Sequence, residues 1–511
     1  MIISKNKYSE ILEQNSKLSK LLLNEQYNIK VISNITTDQL NEILEYSLRA
    51  NLIPAKVTSG NYDNLVQDSS YYNDCDVVIV FYELCNVFNG FYYKAELLDQ
   101  EKLNIVVDRV ENEIDLIMSN LEDVPLVLFN EFSSSQFTST SIDIKKFDEI
   151  SIKLNQYLNK NKQTNVEFVN IEKVFSELGM KKSLDMRGFY LFKALYSIDF
   201  YKVYVDRIHP IILAKNGKSR KVIIFDCDNT LWKGIVGEDG IDNIEMSLET
   251  SDGAIFAEVQ AIALDMSKQG VLIGLCSKNN TDDVNDVITN HADMQLKDRY
   301  LSIKKIDWSS KAVNLKKISE ELNVGLDSIV FVDDSSFEVN LIREQVPEVS
   351  VLQVPKKLYE YPSILREYVN SFFNLAKTKE DAKRVDMYKQ QSKREELKDS
   401  HMDINKYLKS LDISIKIYHD IVEMIPRMAQ LSQKSNQFNL TTKRYTENDF
   451  SKHINNNNNE SICFSVTDKF GDSGVTGVCA LIYNIHSKTA IIDSLFMSCR
   501  IIGRNIEYAF M

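Results

Sequence analysis

The run KVIIFDCDNTLW, Lys221 to Trp232, constrains this chain more tightly than any other stretch. Its four apolar residues, Val222 to Phe225, are too few and too continuous for an amphipathic helix and predict a buried β-strand. Asp226 and Asp228 follow two residues apart, so both carboxylates can project to one side at the strand's end. Ligands collect beyond the carboxyl ends of the strands in a parallel sheet, which is where these acids would fall.

The residues downstream repeat the pattern. Strands are expected at Val271 to Cys276 and Ile329 to Val332, and helices at Ala254 to Lys268, Ser310 to Leu322 and Phe337 to Glu344. Repeating βα units predict a doubly wound parallel sheet, beginning after the polar link KNGKSRK (Lys215 to Lys221). Ser277 ends one strand, and its hydroxyl and the neighbouring amides suit a phosphate oxygen. Lys278, Asn279 and Thr230 are grouped with it as phosphate-binding candidates. Lys311 opens a helix, and Asp333 and Asp334 end a strand. Asp226, Asp228, Asp333, Asp334 and Lys311 therefore converge on one sheet edge. Crowded carboxylates repel one another, and a hard cation such as Mg²⁺ relieves that repulsion while Lys311 offsets charge on a transferring phosphate. Taken singly, D-x-D can be a turn, Ser277 a helix cap and Lys311 a solvated side chain. Their order and placement together favour phosphoryl or acyl-phosphate chemistry.

Length sets the organisation, because 511 residues exceed one hydrophobic core. Residues 1–212 read as an α/β domain with strands at Asp76 to Leu84, Val124 to Glu131 and Val166 to Ile171 and helices near Glu96 to Leu121 and Tyr190 to Tyr196. Residues 213–376 form the catalytic domain, 377–411 a charged helical linker, and 412–511 an α+β domain with strands at Ile413 to Tyr418, Ile462 to Val466, Val478 to Tyr483 and Ala490 to Leu495. The last two strands are expected to be antiparallel. The chain stops inside an apparent helix near Gly503, so the final domain is expected either to continue or to end on a short helix.

A net charge of −13 without a basic stripe disfavours nucleic acid as a partner. Seven cysteines with no C-x-x-C pair point away from a disulfide framework or zinc site. No run reaches the roughly 20 apolar residues of a membrane span, and the N-terminus lacks a signal core, so a cytoplasmic protein is expected.

The motifs DCDNT (Asp226 to Thr230), Ser277, Lys311 and Asp333–Asp334 resemble those of the haloacid dehalogenase superfamily. The longer segments DCDNTLWKGIVGEDG (Asp226 to Gly240), LCSKN (Leu275 to Asn279), DWSSKAVNLKKI (Asp307 to Ile318), FVDDSSFEVNLI (Phe331 to Ile342) and LSQKSNQFNLTTKRY (Leu431 to Tyr445) resemble the narrower FkbH-like family of that superfamily. The resemblance implies Asp226 as nucleophile or metal ligand, Asp228 as acid/base and backbone metal ligand, and Asp333 and Asp334 as metal ligands. It implies removal of phosphate from D-1,3-bisphosphoglycerate and loading of the glyceryl unit as a thioester on an acyl carrier protein, for polyketide-type synthesis. A free-standing Mg²⁺-dependent phosphatase and a carrier-protein docking scaffold are the alternatives.

Cys227, between the two aspartates, is a candidate acyl carrier. Strand alternation equally makes it a small buried hydrophobe, in which case the carrier's phosphopantetheine thiol attacks directly. Between Asp226 and Lys311 there is no room for a large cap domain, which suits a tethered substrate. RIIGRN (Arg500 to Asn505) is similar to the pyrophosphate loop of GNAT acyltransferases, implying a GNAT-like last domain. The first domain's element order resembles SGNH hydrolases, with Ser59 to Asn61 and Asp206 to His209 as superficial counterparts of their motifs. Asp206, His209 and Pro210 can equally serve to cap a helix.

Overall fold

The structure is a computed structural model describing residues 3–22, 26–72, 74–137, 143–372, 390, 394, 404–434, 438–439, 441, 443–484, 487–498, 501–502 and 504–510. The chain divides into two compact units, Met1–Leu213 and Ala214–Met511.

The first unit is built on a five-stranded sheet, β1 (Tyr27–Ser33), β2 (Ala55–Ser59), β3 (Val77–Phe81), β4 (Leu126–Asn130) and β5 (Val166–Val169), in the order β2-β1-β3-β4-β5. Every pairing is parallel. All residues of β3 and β4 are buried, which explains their uninterrupted apolar runs: both sheet faces are covered. The helix expected near Glu96 to Leu121 is Gln100–Asn120, started by the Asp99 carboxylate, which accepts the Lys102 N–H at 2.9 Å. The helix expected at Tyr190 to Tyr196 is displaced to Met186–Phe192, because Asp185 caps its start and Lys193 leaves it at φ 60°. Ser59, Asp206 and His209 meet different partners. The Ser59 hydroxyl accepts from Asn41, Asp206 accepts the N–H groups of Ile3 and Ser4 at 2.6 and 2.9 Å, and His209 faces Asn51. Asp206 thus holds the start of the chain rather than a hydrolytic triad.

In the second unit, β6 (Val222–Phe225), β7 (Leu272–Ser277), β8 (Leu301–Ile306), β9 (Ile329–Asp333) and β10 (Ser350–Gln353) make another parallel sheet, in the order β10-β9-β6-β7-β8. Period-two alternation sorts its strands between two cores. Ile223, Phe225, Ile273, Leu275, Val330 and Val332 pack with the helices Ser251–Lys268, Thr281–Asn290 and Tyr361–Val369. Val222, Ile224, Leu272, Ile329 and Phe331 pack with helices Lys311–Glu321 and Ser336–Gln345. Helices cover both faces, and β6 lies between β7 and β9.

A four-stranded antiparallel sheet follows, ordered β11 (Ser414–His419), β12 (Asn459–Asp468), β13 (Gly471–Asn484) and β14 (Thr489–Met497). Most of the charged linker expected at 377–411 lies outside the described residues. Within it, Arg394 is buried and grips Asp468 of β12 through two hydrogen bonds of 2.7 and 2.8 Å. Arg500 and Gly503 of RIIGRN are also outside the described residues. Arg504 pairs with Asp468 at 3.2 Å, so its guanidinium is turned into the sheet and not toward a pyrophosphate. No described helix is long and apolar enough to cross a membrane.

Candidate active site

The order β10-β9-β6-β7-β8 reverses at the β6/β9 pair, since the chain leaves β6 to one side through β7 and β8 and returns on the other through β9. Such a switch point opens a crevice beyond the strand ends. Asp226 follows β6 there and anchors to β9 through its N–H, which donates to the Val332 carbonyl at 2.9 Å. Asp333 ends β9 and Asp334 follows it. One carboxylate oxygen from each of Asp226, Asp333 and Asp334 lies within 4.8 Å of the others. Lys311, the first residue of its helix, reaches in with its Nζ 2.6 Å from Asp333 Oδ2 and 3.1 Å from Asp226 Oδ1.

Lys311 is 4% exposed and Asp333 has no exposed surface, so these charges interact with little screening. Burial alone would depress the Lys311 pKa, yet Asp226 and Asp333 outweigh it and raise it. Asp333 is raised by burial and by the Asp226 charge despite the Lys311 bond and the Ser335 N–H, which donates to Asp333 Oδ1 at 2.8 Å. Asp334 is raised by the same two causes. One ammonium does not balance three clustered carboxylates. The donor set fits a hard, oxygen-seeking cation, which would supply the missing charge.

Asp228 stands apart from this trio. Its Oδ1 accepts the Trp232 indole N–H at 2.9 Å and the Val236 N–H at 3.1 Å, and its Oδ2 accepts the Asn279 amide at 2.8 Å. Its side chain is therefore not among the clustered carboxylates, a correction to the four-acid grouping. Burial raises its pKa, against the lowering by Val236 and Trp232. The loop that makes this possible is tight. Thr230 and Leu231 donate their N–H groups to the Cys227 carbonyl, Asn229 adopts φ 52°, and its side chain accepts the N–H of Gly234, whose φ of 101° favours glycine.

Cys227 follows the second of its two expected roles, and three phosphate-binding candidates meet protein partners. Cys227 has no exposed surface and packs with Ile223, Phe225, Leu231 and Trp232. Burial first, and the Asp226 charge second, push its thiol above the ordinary range, so alternation has made it a core residue whose ionisation is disfavoured. Lys278 ion-pairs with Glu338 at 2.6 Å, and Asn279 serves Asp228, so both of these side chains are spent on protein partners rather than set out for phosphate. Thr230 is wholly buried, with its carbonyl accepting from the Tyr361 hydroxyl at 3.2 Å, and has no surface from which to touch a phosphate. Ser277, 3% exposed, closes β7 beside the site.

The sequence reading missed Trp232, Tyr361, Ser335 and Glu338 as supports of the site. Trp232, inside the TLW continuation of the acidic motif, and Ser335 and Glu338, inside FVDDSSFEVNLI, stood in segments already singled out, whereas Tyr361 carried no local signal. Above the site, residues between β6 and the helix Ser251–Lys268 form a small flap with a two-way bridge between Lys233 and Glu245 and one short helix, Val236–Asp239. The six described cysteines are buried free thiols, and Cys499 lies outside the described residues.

No family model matches the chain, and no curated protein matches it. Among solved structures, the N-terminal part of the protein BF1531 from Bacteroides fragilis, which contains a phosphatase domain complexed with Mg, aligns over 73% of this chain and 100% of its own, with 24% identity and a TM-score of 0.65. The two share a fold. The salicylyl-acyltransferase SsfX3 from a tetracycline biosynthetic pathway aligns over 37% of this chain and 56% of its own at 14% identity, and its TM-score of 0.26 is too low to bear on the fold.

Proposed function

We propose that this chain is a Mg²⁺-dependent enzyme that takes an acyl phosphate, D-1,3-bisphosphoglycerate, and delivers its glyceryl group to the thiol of an acyl carrier protein. The observation that carries the reading is the convergence of Asp226, Asp333 and Asp334 around Lys311 at a sheet edge, where among the described residues the segment from β6 to the helix Ser251–Lys268 is a short flap and not a cap domain. An edge without a large cap leaves room for a protein-tethered arm.

Asp226, Asp333 and Asp334 are the residues that would hold Mg²⁺, as the Mg-complexed phosphatase domain of BF1531 also suggests. The ion would shield the phosphate oxygens from the carboxylates and draw charge from the departing phosphate. Lys311, held by two of those carboxylates, adds a fixed positive charge beside the same oxygens.

An acyl phosphate offers carbon and phosphorus as electrophiles, and the choice of nucleophile sets the product. In the loading reaction the carrier's thiol sulfur bonds to the acyl carbon, and the C–O bond to phosphate breaks with its electron pair on phosphate. The thiol proton passes through Asp228 to the departing phosphate. Burial raises the Asp228 pKa and so suits it to hold a proton, while its three donors, which favour the charged form, fix its direction. The inaccessible, neutral Cys227 thiol favours direct attack by the carrier over a relay through this chain.

Hydrolysis is the second reading, favoured by the place of Asp226 beside Lys311. There the Asp226 carboxylate attacks phosphorus, the acyl carboxylate leaves, and water then cleaves the aspartyl phosphate. Incubating the protein with Mg²⁺, 1,3-bisphosphoglycerate and a holo carrier protein, followed by intact mass measurement, separates the two. A glyceryl adduct on the carrier is the expected result, and phosphate release without an adduct would establish hydrolysis instead.

A further inference from the structure

We infer that the C-terminal turn of helix Met186–Phe192, together with residues 89–94 beside it, is a docking surface for an acidic amphipathic helix of another protein. The inference goes beyond the acyl-loading reading and does not depend on it, because every residue it uses lies in the first unit. Phe189 anchors the helix inward. It is buried, and its ring centroid lies 5.8 Å from that of Tyr92 and 5.4 Å from that of Phe137. The end of the helix is pinned as well, since Thr36 donates its hydroxyl to the Phe192 carbonyl at 2.6 Å and its N–H to the Lys193 carbonyl at 3.0 Å. Tyr190, Leu191 and Phe192 are therefore held in place, yet each is more than half exposed.

Contacts join this turn to residues 89–94. The Tyr92 hydroxyl lies 3.4 Å from that of Tyr190, and the Tyr92 ring packs edge-on against Tyr93 with centroids 5.0 Å apart. Tyr93 is also more than half exposed. Asn89 ties the two segments together, receiving Lys94 on its carbonyl at 2.7 Å and Lys193 on its side-chain oxygen at 3.4 Å. Lone exposed apolar side chains are ordinary, but four gathered on two joined segments make a patch. Rings already fixed by their neighbours lose little freedom on binding, which suits them to the centre of a protein interface.

The charge around the patch names the partner. Residues 179–193 carry Lys181, Lys182, Arg187 and Lys193 against the single acid Asp185, in a chain whose net charge is −13. Asp185 is taken up in capping the helix, where it accepts the Gly188 N–H at 2.9 Å. Lys181, Lys182 and Arg187 are exposed and have no acidic partner among the described residues. Arg187 precedes Tyr190 by three residues and Leu191 by four, so basic and apolar groups share one side of the helix. An amphipathic helix rich in acids offers the complement, an apolar stripe edged by carboxylates. An extended polyanion, whether nucleic acid or an anionic membrane, spreads past the patch and meets the acidic remainder of the chain, whereas a short helix covers the patch alone.

The test uses the full-length protein and a labelled peptide of about four helical turns, with leucine on one face at i, i+3, i+4 and i+7 and glutamate on the other. Fluorescence anisotropy should show saturable binding with a Kd on the order of 10 μM. The same peptide with lysine in place of every glutamate should not bind. F192A and R187E should each weaken binding of the glutamate peptide about tenfold, which corresponds to about 1.4 kcal/mol, and R187E should bind the lysine peptide more tightly than the wild type does. Both positions are exposed, and thermal unfolding of the variants checks that they fold. The proposal is overturned if no binding is seen at about 1 mM peptide, if the two peptides bind alike, or if both variants bind as the wild type does. Vesicles of phosphatidylcholine and phosphatidylglycerol are the competing probe, and binding to them that F192A and R187E abolish would overturn it by making the patch a lipid surface. A concentration-dependent dimer in sedimentation that F192A abolishes would overturn it by assigning the patch to a second copy. Phosphate release by the variants should stay within about twofold of wild type, and a failure of the loading assay leaves the peptide titration unaffected.

Discussion

The two parallel sheets of this chain have the same number of strands, and each has one switch point, yet what sits at the two switch points differs in kind. In the sheet of the second unit the β6/β9 crevice holds Asp226, Asp333, Asp334 and Lys311. In the first unit the reversal falls between β1 and β3, and there the Asn34 amide and the Glu83 backbone are sewn together by reciprocal hydrogen bonds of 2.8 Å. The Glu83 carboxyl is 2% exposed, is met by Gln136 at 3.4 Å, and has its pKa pushed up to about 8 by burial. It is an uncharged acid at neutral pH, needing no cation. Equivalent crevices therefore carry different chemistry: one concentrates charge that calls for a metal, and the other removes it. Fold supplies the place, and the side chains supply the function.

The largest effect should come from breaking the charged crevice. Asp226→Asn removes a clustered carboxylate and the nucleophile for phosphorus, and is expected to abolish both thioester formation and phosphate release. Glu83→Gln, at the other crevice, should leave both within about twofold of wild type, as ordinary for a change remote from the reacting groups. Rate assays on the two variants make the test, and equal loss in both would erase the distinction between the crevices.

Metal removal sharpens the same contrast through stability. If the three carboxylates bind Mg²⁺ only when folded, adding the ion at about 100 times its dissociation constant should stabilise the second unit by about 2.7 kcal/mol. Thermal unfolding with Mg²⁺ and with a chelator measures this. Asp333→Asn should remove most of the gain, and a gain that survives the substitution would place the ion elsewhere.

The charged crevice was legible because its signals are local. A continuous apolar run ending on acids announces Asp226 and Asp228, and the Asp333–Asp334 pair repeats that pattern on β9. Its supports were not legible, because they come from remote positions: Asn279 reaches Asp228 across 51 residues, and Lys278 reaches Glu338 across 60. Adjacency to Ser277 suggested phosphate binding for both, but a motif does not report the direction in which each side chain leaves the backbone. Strands β1 and β2 escaped notice because Asn28, Lys30 and Lys56 interrupt short apolar stretches, and β8 because Lys304 and Lys305 stand in it. The antiparallel pairing of β13 with β14 was readable from two adjacent apolar runs.

The neutral crevice can be tested by pH. The Glu83 pKa is about 8 in the fold against 4.5 for an ordinary carboxyl, so the native state holds a proton that the unfolded chain has lost across that interval. Its contribution to stability is fully present below pH 4.5 and declines as pH rises through 8, with a slope of at most about 1.4 kcal/mol per pH unit. Calorimetry of the full chain should show the transition of the first unit falling in that direction, and Glu83→Gln, which cannot ionise, should flatten it. An unchanged slope in the variant would mean that another group carries the proton.

The smallest expected effect is the one that decides between two routes to the thioester. Cys227 fills core space beside Phe225 and Trp232, so Cys227→Ala removes a sulfur from a packed interior and should cost about 1 kcal/mol of stability. A thiol with no exposed surface, whose ionisation is opposed by burial and by Asp226, is poorly placed to attack an acyl carbon. The variant should therefore load a holo carrier at close to the wild-type rate while melting slightly earlier. Mass measurement of the protein itself during turnover completes the test, because a glyceryl adduct on this chain that disappears in Cys227→Ala would require the loop to open far enough to expose the thiol. Such an adduct would turn the flap between Trp232 and Ser251 from a cover into a moving part of the reaction.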